Sequence, residues 1–266
     1  MRRNAGFLPM RADRDRHPEF RQLARFTGIV VVHIIFFGRD LEIRAILERL
    51  RAEPCVAVAG DSGVGKSSLC RAGVLPLVQE GALSPGERQR QVLTLVPGRQ
   101  PLLALSSALA PHLTQDEAAV DALLRTDPRR AAHALRSRPP EKGRLLLFLD
   151  QLEELLTLAD PTEAALCAEA LAALCLHGGG LRLLCTARSD YLARLMTLPG
   201  LGDEIQNALY LLRPLSASGL REAIVGPAAA TGCTFESEAL IDELASAAAS
   251  TSGGLPLLQF ALAELW

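Results

Sequence analysis

Gly60-Asp61-Ser62-Gly63-Val64-Gly65-Lys66-Ser67 matches the spacing G-x-x-x-x-G-K-S/T in full, directly after an apolar run and at the start of a helical pattern. Such a segment can hold phosphate. Its glycines let the backbone wrap closely, so that successive N–H groups point at phosphate oxygens, and the helix that follows adds the positive end of its dipole. Lys66 would reach the β and γ phosphates as a point charge, and Ser67 would place its hydroxyl on Mg²⁺. Of the 28 basic residues only Lys66 and Lys142 are lysines, so a lysine at this place in an arginine-rich chain is itself informative. The ligand expected is ATP or ADP with Mg²⁺, held by Gly60 through Ser67 and by Ser68 in the first helical turn.

Three further groups belong to the same chemistry. Arg144-Leu145-Leu146-Leu147-Phe148-Leu149-Asp150 is an apolar strand ending in a carboxylate, the Walker B pattern, in which Asp150 holds Mg²⁺ through water. The competing reading of Asp150 is a helix N-cap. Gln151 stands where many ATPases of this kind carry a water-activating glutamate, so binding is better supported than hydrolysis. Glu153 and Glu154 follow within one helical turn. Either can act as general base, and either can be an ordinary helix-start acid favoured by the dipole. Arg188 ends the run Leu181-Arg182-Leu183-Leu184-Cys185-Thr186-Ala187, where a guanidinium can contact a γ-phosphate or pair with nearby Asp190.

The elements that must position these groups are short apolar runs alternating with helical patterns. Runs at Cys55 to Ala59, Val92 to Val96, Leu145 to Leu149, Leu181 to Thr186 and Leu209 to Leu212 predict five buried strands. Helical periodicity covers Arg39 to Ala52, Ser67 to Gln79, Leu102 to His112, Glu117 to Leu124, Arg129 to Arg136, Leu152 to Leu158 and Thr162 to Leu176. That alternation predicts an α/β fold: a five-stranded parallel sheet flanked by helices. Past Leu212 the strand signal stops. Ser216 to Ala230, Ser237 to Ser250 and a third pattern beginning at Pro256, after Gly253-Gly254, predict a small helical lid. The domain reading is an N-terminal arm over 1–35, a nucleotide-binding domain over 36–213 and the lid over 214–266. The last helical pattern reaches Trp266 without a stop signal, so the lid reads as truncated.

Composition narrows the alternatives. The chain has 266 residues and a formal net charge of −2, without the basic excess of a nucleic-acid-binding domain. The cluster Arg125, Arg129, Arg130, Arg136 and Arg138 is the only local candidate for such binding, and a solvated helical face explains it more simply. Nucleic acid is therefore not an expected partner. The six cysteines form no C-x-x-C pair and lie mostly in apolar segments, the pattern of small buried hydrophobes in a reducing compartment. The apolar run from Ile29 to Phe37 contains His33 and is too short to span a bilayer. No signal-peptide pattern accompanies it. A cytoplasmic protein without membrane contact is expected.

Together these segments resemble the STAND class of signal-transducing P-loop NTPases, and within it the bacterial novel STAND group, over about Phe36 to Trp266. Phe36-Phe37-Gly38-Arg39-Asp40-Leu41-Glu42 looks like the class's lead-in motif beside the adenine, with Asp40 where Glu is usual. Asp150-Gln151-Leu152-Glu153-Glu154-Leu155 is similar to the group's D-Q-F-E-E-L segment, with Leu for Phe. Thr186-Ala187-Arg188-Ser189-Asp190-Tyr191 resembles its sensor-arginine region, while Leu212-Arg213-Pro214-Leu215-Ser216 and Pro227-Ala228 resemble landmarks of its post-sheet helices. Gly254-Leu255-Pro256-Leu257-Leu258 resembles the G-x-P motif by which the lid closes over nucleotide. The resemblance implies that Arg39 and Pro256 join the nucleotide contacts. It also implies that the strand leading to Arg188 lies between the strands leading to Lys66 and Asp150. In function it implies a switch: ADP holds the lid closed, ATP opens it, and the open form self-associates and drives an effector, with slow or conditional hydrolysis. The competing readings are a small-molecule kinase using the same phosphate loop and a DNA-linked ATPase.

Overall fold

The structure, a computed structural model, describes residues 37–83, 90–139, 143–176, 181–251 and 253–265. The arm over 1–35, Phe36, Lys142 and Trp266 lie outside these residues, as does most of the apolar run from Ile29. Five strands form one parallel sheet: β1 (Cys55–Gly60), β2 (Gln91–Leu95), β3 (Leu145–Leu149), β4 (Leu181–Arg188) and β5 (Leu209–Leu211), in the order β2-β3-β4-β1-β5. The strand of Arg188 thus separates those of Lys66 and Asp150, as the family resemblance implies. The fold class expected from the sequence is the one observed.

The sheet is covered on both faces, which is why its central strands are apolar without interruption. Successive side chains alternate between two cores. Cys55, Ala57, Leu145, Leu147, Leu149, Leu183, Cys185 and Ala187 join one, which is built with α4 (Pro101–Leu113), α5 (Glu117–Thr126), α6 (Pro128–Arg136) and α8 (Pro161–Leu176). Val56, Val58, Leu146, Phe148 and Leu184 join the other, built with α1 (Asp40–Ala52) and the helix after the phosphate loop. Edge strands β2 and β5 are only partly covered. Of the six free cysteines, Cys55, Cys70, Cys167, Cys175 and Cys185 are buried, as small hydrophobes are.

Two helical expectations are corrected. The pattern over Ser67 to Gln79 is not one regular helix: α2 (Lys66–Ser68) runs into a π-helical stretch (Leu69–Val74) and then α3 (Leu75–Gln79). Pro76 supplies the reason, since it cannot donate to the carbonyl of Ala72 and its ring crowds that turn, so the turn before it widens. The pattern over Leu152 to Leu158 shrinks to α7 (Glu154–Thr157), because Gln151 takes a left-handed backbone, φ 62°, and turns the chain before a helix can start. Two short helices, α9 (Leu192–Leu195) and α10 (Leu201–Asn207), carry too few turns to show periodicity in the sequence.

After β5 come α11 (Ala217–Ala230), α12 (Glu238–Ser250) and α13 (Gly254–Leu265), which close a small core of their own around Leu220, Ile224, Ile241 and Leu258. Helix α13 starts at Gly254, ahead of Pro256, and the proline's missing N–H falls within the first turn, where no intrahelical bond is lost. Among the described residues no helix is long and apolar enough to cross a membrane.

Candidate functional site

Parallel register brings the separate sequence segments together. Gly60 pairs with Arg188 across β1 and β4, and Leu149 pairs with Cys185 across β3 and β4. The strand ends that carry the phosphate loop, Asp150 and Arg188 therefore open on one edge of the sheet. Ligands bind at that edge in open α/β sheets.

The loop leaves β1 at Gly60, whose position is crowded: a Cβ there would lie 2.8 Å from the Leu212 carbonyl oxygen. Gly63 and Gly65 have φ of 78° and 94°, which only glycine adopts at little cost. Asp61 and Ser62 are exposed, Val64 is buried, and Ser68 is half-buried. Lys66 curls back so that its Nζ donates to the carbonyl oxygens of Gly60 and Asp61, both at 2.8 Å. Burial pushes the Lys66 ammonium below the ordinary lysine range; Glu153 opposes that shift and Arg188 adds to it. A phosphate would relieve the same strain.

Asp150 is the best-held side chain of the site. Its Oδ1 accepts the hydroxyls of Ser67 (2.7 Å) and Thr186 (2.5 Å), and its Oδ2 accepts Nε and Nη2 of Arg71, each at 3.0 Å. Thr186 also accepts the backbone N–H of Gln151 at 2.9 Å, and its carbonyl accepts that of Leu152 at 2.8 Å. The left-handed turn at Gln151 is thereby pinned to β4. Asp150 is thus not a helix N-cap: the helix that follows begins only at Glu154. Two hard oxygens 2.7 Å apart, one hydroxyl and one carboxylate, fit Mg²⁺, which takes few protein ligands and completes its shell with phosphate and water. Ser67 and Asp150 would hold it, and it would neutralise charge on the phosphates.

The two acids differ in position. The carboxylate of Glu153 is buried and accepts the Arg188 N–H at 3.2 Å, beside the Lys66 charge. That of Glu154 accepts the Gly98 N–H at 2.9 Å and ties down the loop after β2. Arg188 points its guanidinium at Asp190 (3.0 and 2.6 Å) and over the Tyr191 ring, so its ion pair is the contact observed. The Ser189 hydroxyl reaches the Asp61 carboxylate, linking β4's end to the loop.

Arg39 and Pro256 touch the loop from outside the sheet. The buried Arg39 guanidinium donates to Glu42 (2.6 Å), to the Arg213 carbonyl (2.9 Å) and to the Val64 carbonyl (3.1 Å). It joins the lead-in segment, the loop and the chain after β5. The lid's turn lies against the loop glycines: a Cβ on Gly63 would sit 3.3 Å from both Gly253 Cα and Pro256 Cγ, and one on Gly65 would sit 3.1 Å from Leu255 Cδ2. Two members of the site, Arg71 and Thr186, were not singled out from the sequence. The signals present were a hydroxyl inside an apolar strand and an arginine one turn beyond Ser67.

Several solved structures are similar to this chain. A Walker-type ATPase of Pyrococcus abyssi matches with a TM-score of 0.54 and 18% identity, over 86% of this chain and 70% of that one. The Aeropyrum pernix ORC1 protein in complex with DNA matches at 0.61 and 16%, over 88% and 62%. Cdc6p of Pyrobaculum aerophilum matches at 0.52 and 17%, over 78% and 54%. These likenesses show the fold, and the chain spans less than two thirds of the latter two. A comparison with curated proteins found no match. The family model for Novel STAND NTPase 1 matches residues 20–266, beginning upstream of the lead-in segment, and the chain belongs to that family of P-loop NTPases.

Proposed function

We propose that the chain is the nucleotide-binding part of a bacterial, cytoplasmic signal-transduction switch, in which Mg²⁺ with ATP or ADP sets the position of the lid and hydrolysis is slow or conditional. One observation carries this reading: the turn Gly253-Gly254-Leu255-Pro256 rests on the phosphate loop itself, with Pro256 against Gly63 and Leu255 against Gly65. Whatever fills the loop must act on the lid. Lys66 and the loop N–H groups take the phosphates, Ser67 and Asp150 hold the metal, and Glu153 is the acid best placed to receive a proton from water near Lys66. Arg188, released from Asp190, is within the same edge and would report the γ-phosphate. A lid freed by ATP exposes surface through which copies self-associate and an effector is driven. The test is Pro256→Ala in competition binding. A ligand shifts a two-state equilibrium only through differential affinity, and couplings of this kind run about 5–150-fold. ADP should loosen at least about fivefold, with ATP nearly unchanged. A proportionate loss of both, or of neither, refutes the switch.

A DNA-linked ATPase is the second reading, favoured by the likeness to the ORC1 protein solved in complex with DNA. Against it, Arg125 of the cluster Arg125, Arg129, Arg130, Arg136 and Arg138 is already paired with Asp121 and Glu163. A salt-sensitive gel shift decides between them.

A further inference from the structure

Ser67 and Arg71 lie four residues apart on the helix that follows the phosphate loop, a spacing that puts both on one face. They converge on the two oxygens of the same carboxylate. Asp150 Oδ1 takes the hydroxyls of Ser67 and Thr186, and Oδ2 takes two N–H groups of Arg71. A carboxylate has about four acceptor positions, so every one on Asp150 is occupied by a protein donor. A metal-bound water can reach this carboxylate only if a donor leaves.

The donors are not equally free to leave. The Asp150 side chain is 3% exposed and Thr186 is 1% exposed, whereas the Arg71 side chain is 49% exposed. Arg71 also stands in the π-helical stretch and lies over the Phe148 ring, 5.6 Å from its centroid, so it has both a stacking surface and open solvent beside its present place. Its charge would repel a second cation brought to the same carboxylate.

We propose that Arg71 is a built-in competitor of Mg²⁺: its guanidinium neutralises Asp150 until the metal arrives with nucleotide and displaces it, so that Arg71 sets the Mg²⁺ concentration at which the site loads. This rests on the nucleotide-binding reading above. It adds a residue whose role is to raise the threshold for metal, while Asp150 and Ser67 remain the ligands.

The experiment is binding of a fluorescent ADP analogue by the full chain, titrated with Mg²⁺ and repeated with EDTA in place of the metal. Arg71→Gln should lower the half-saturating Mg²⁺ concentration about tenfold, the order expected for removing one cation beside a partly wet site, while nucleotide binding in EDTA changes little. Arg71→Lys, which keeps a charge but loses the two-pronged contact, should lower it less, and it serves as the test if the glutamine variant melts too low to assay. A half-saturating concentration that stays the same or rises overturns the proposal, because an arginine that only orients Asp150 would make metal binding worse when removed. Failure of the unaltered chain to bind nucleotide at any Mg²⁺ concentration overturns the underlying reading instead, and this proposal with it.

Discussion

Replacing Gly38 by alanine separates two costs that the structure assigns to that residue. Gly38 has φ 83°, and a left-handed backbone costs an L-residue about 1–2 kcal/mol. Its Cβ would also lie 2.3 Å from the Gly219 carbonyl oxygen and 3.0 Å from the carbonyl carbon. That oxygen belongs to α11 and cannot swing aside as a side chain would. Forced overpacking adds about 1–3 kcal/mol, so Gly38→Ala should lose roughly 2–5 kcal/mol. Gly232 provides the control: its φ is 74°, but nothing lies within 4 Å of its would-be Cβ. Gly232→Ala should lose only the backbone part, about 1–2 kcal/mol. Urea denaturation of the two variants reads the difference directly, provided the slopes agree. Relief of the collision would move the lead-in segment away from α11 and draw Arg39 off the Val64 and Arg213 carbonyls. Nucleotide affinity should therefore fall in Gly38→Ala and hold in Gly232→Ala. Equal losses of stability in both variants would refute the collision, and an unaltered affinity in Gly38→Ala would refute the link through Arg39.

Nucleotide at about 100 times its dissociation constant should stabilise the fold by roughly 2.7 kcal/mol, and Lys66→Ala should abolish that gain in thermal melting with Mg²⁺-ATP. Glu153→Gln should leave binding intact and reduce turnover, measured as phosphate release, because its carboxylate adjoins Lys66 and the Arg188 backbone. Glu154→Gln should keep turnover and lower the melting temperature slightly, since it weakens a charged acceptor of the Gly98 N–H worth about 1.5–3 kcal/mol.

What the sequence made legible follows from how locally each feature is determined. The central strands could be read because burial on both faces forces an unbroken apolar run, and Leu145 to Leu149 lie where that run placed them. The phosphate loop was legible because its glycines and lysine serve one segment. Leu152 to Leu158 misled because its periodicity is helical while its start is governed from β4, where the Thr186 hydroxyl and carbonyl hold Gln151 and Leu152. No spacing within the segment records that. The role of Arg71 is not written locally for the same reason: its partner Asp150 is distant in sequence and meets it only once β3 has taken its place beside β4. The π turn before Pro76 was visible only as a proline in a helical pattern.

These long-range contacts share one target. The lead-in segment reaches the phosphate loop through Arg39 and Val64, the end of β4 through Ser189 and Asp61, and the lid through Pro256 and Gly63. Asp150 is gripped in turn from β4 by Thr186 and from the loop's own helix by Ser67 and Arg71. A loop needed only to bind phosphate requires none of the outer three contacts, since its glycines and helix N-terminus suffice. Their convergence makes the loop's geometry depend on segments from both ends of the described chain. Under the proposed switch, a change in what the loop holds would be felt at Arg39, at Asp61 and at the turn that opens α13 together, which is the physical requirement for a nucleotide to alter the relation between the sheet and the helices after it.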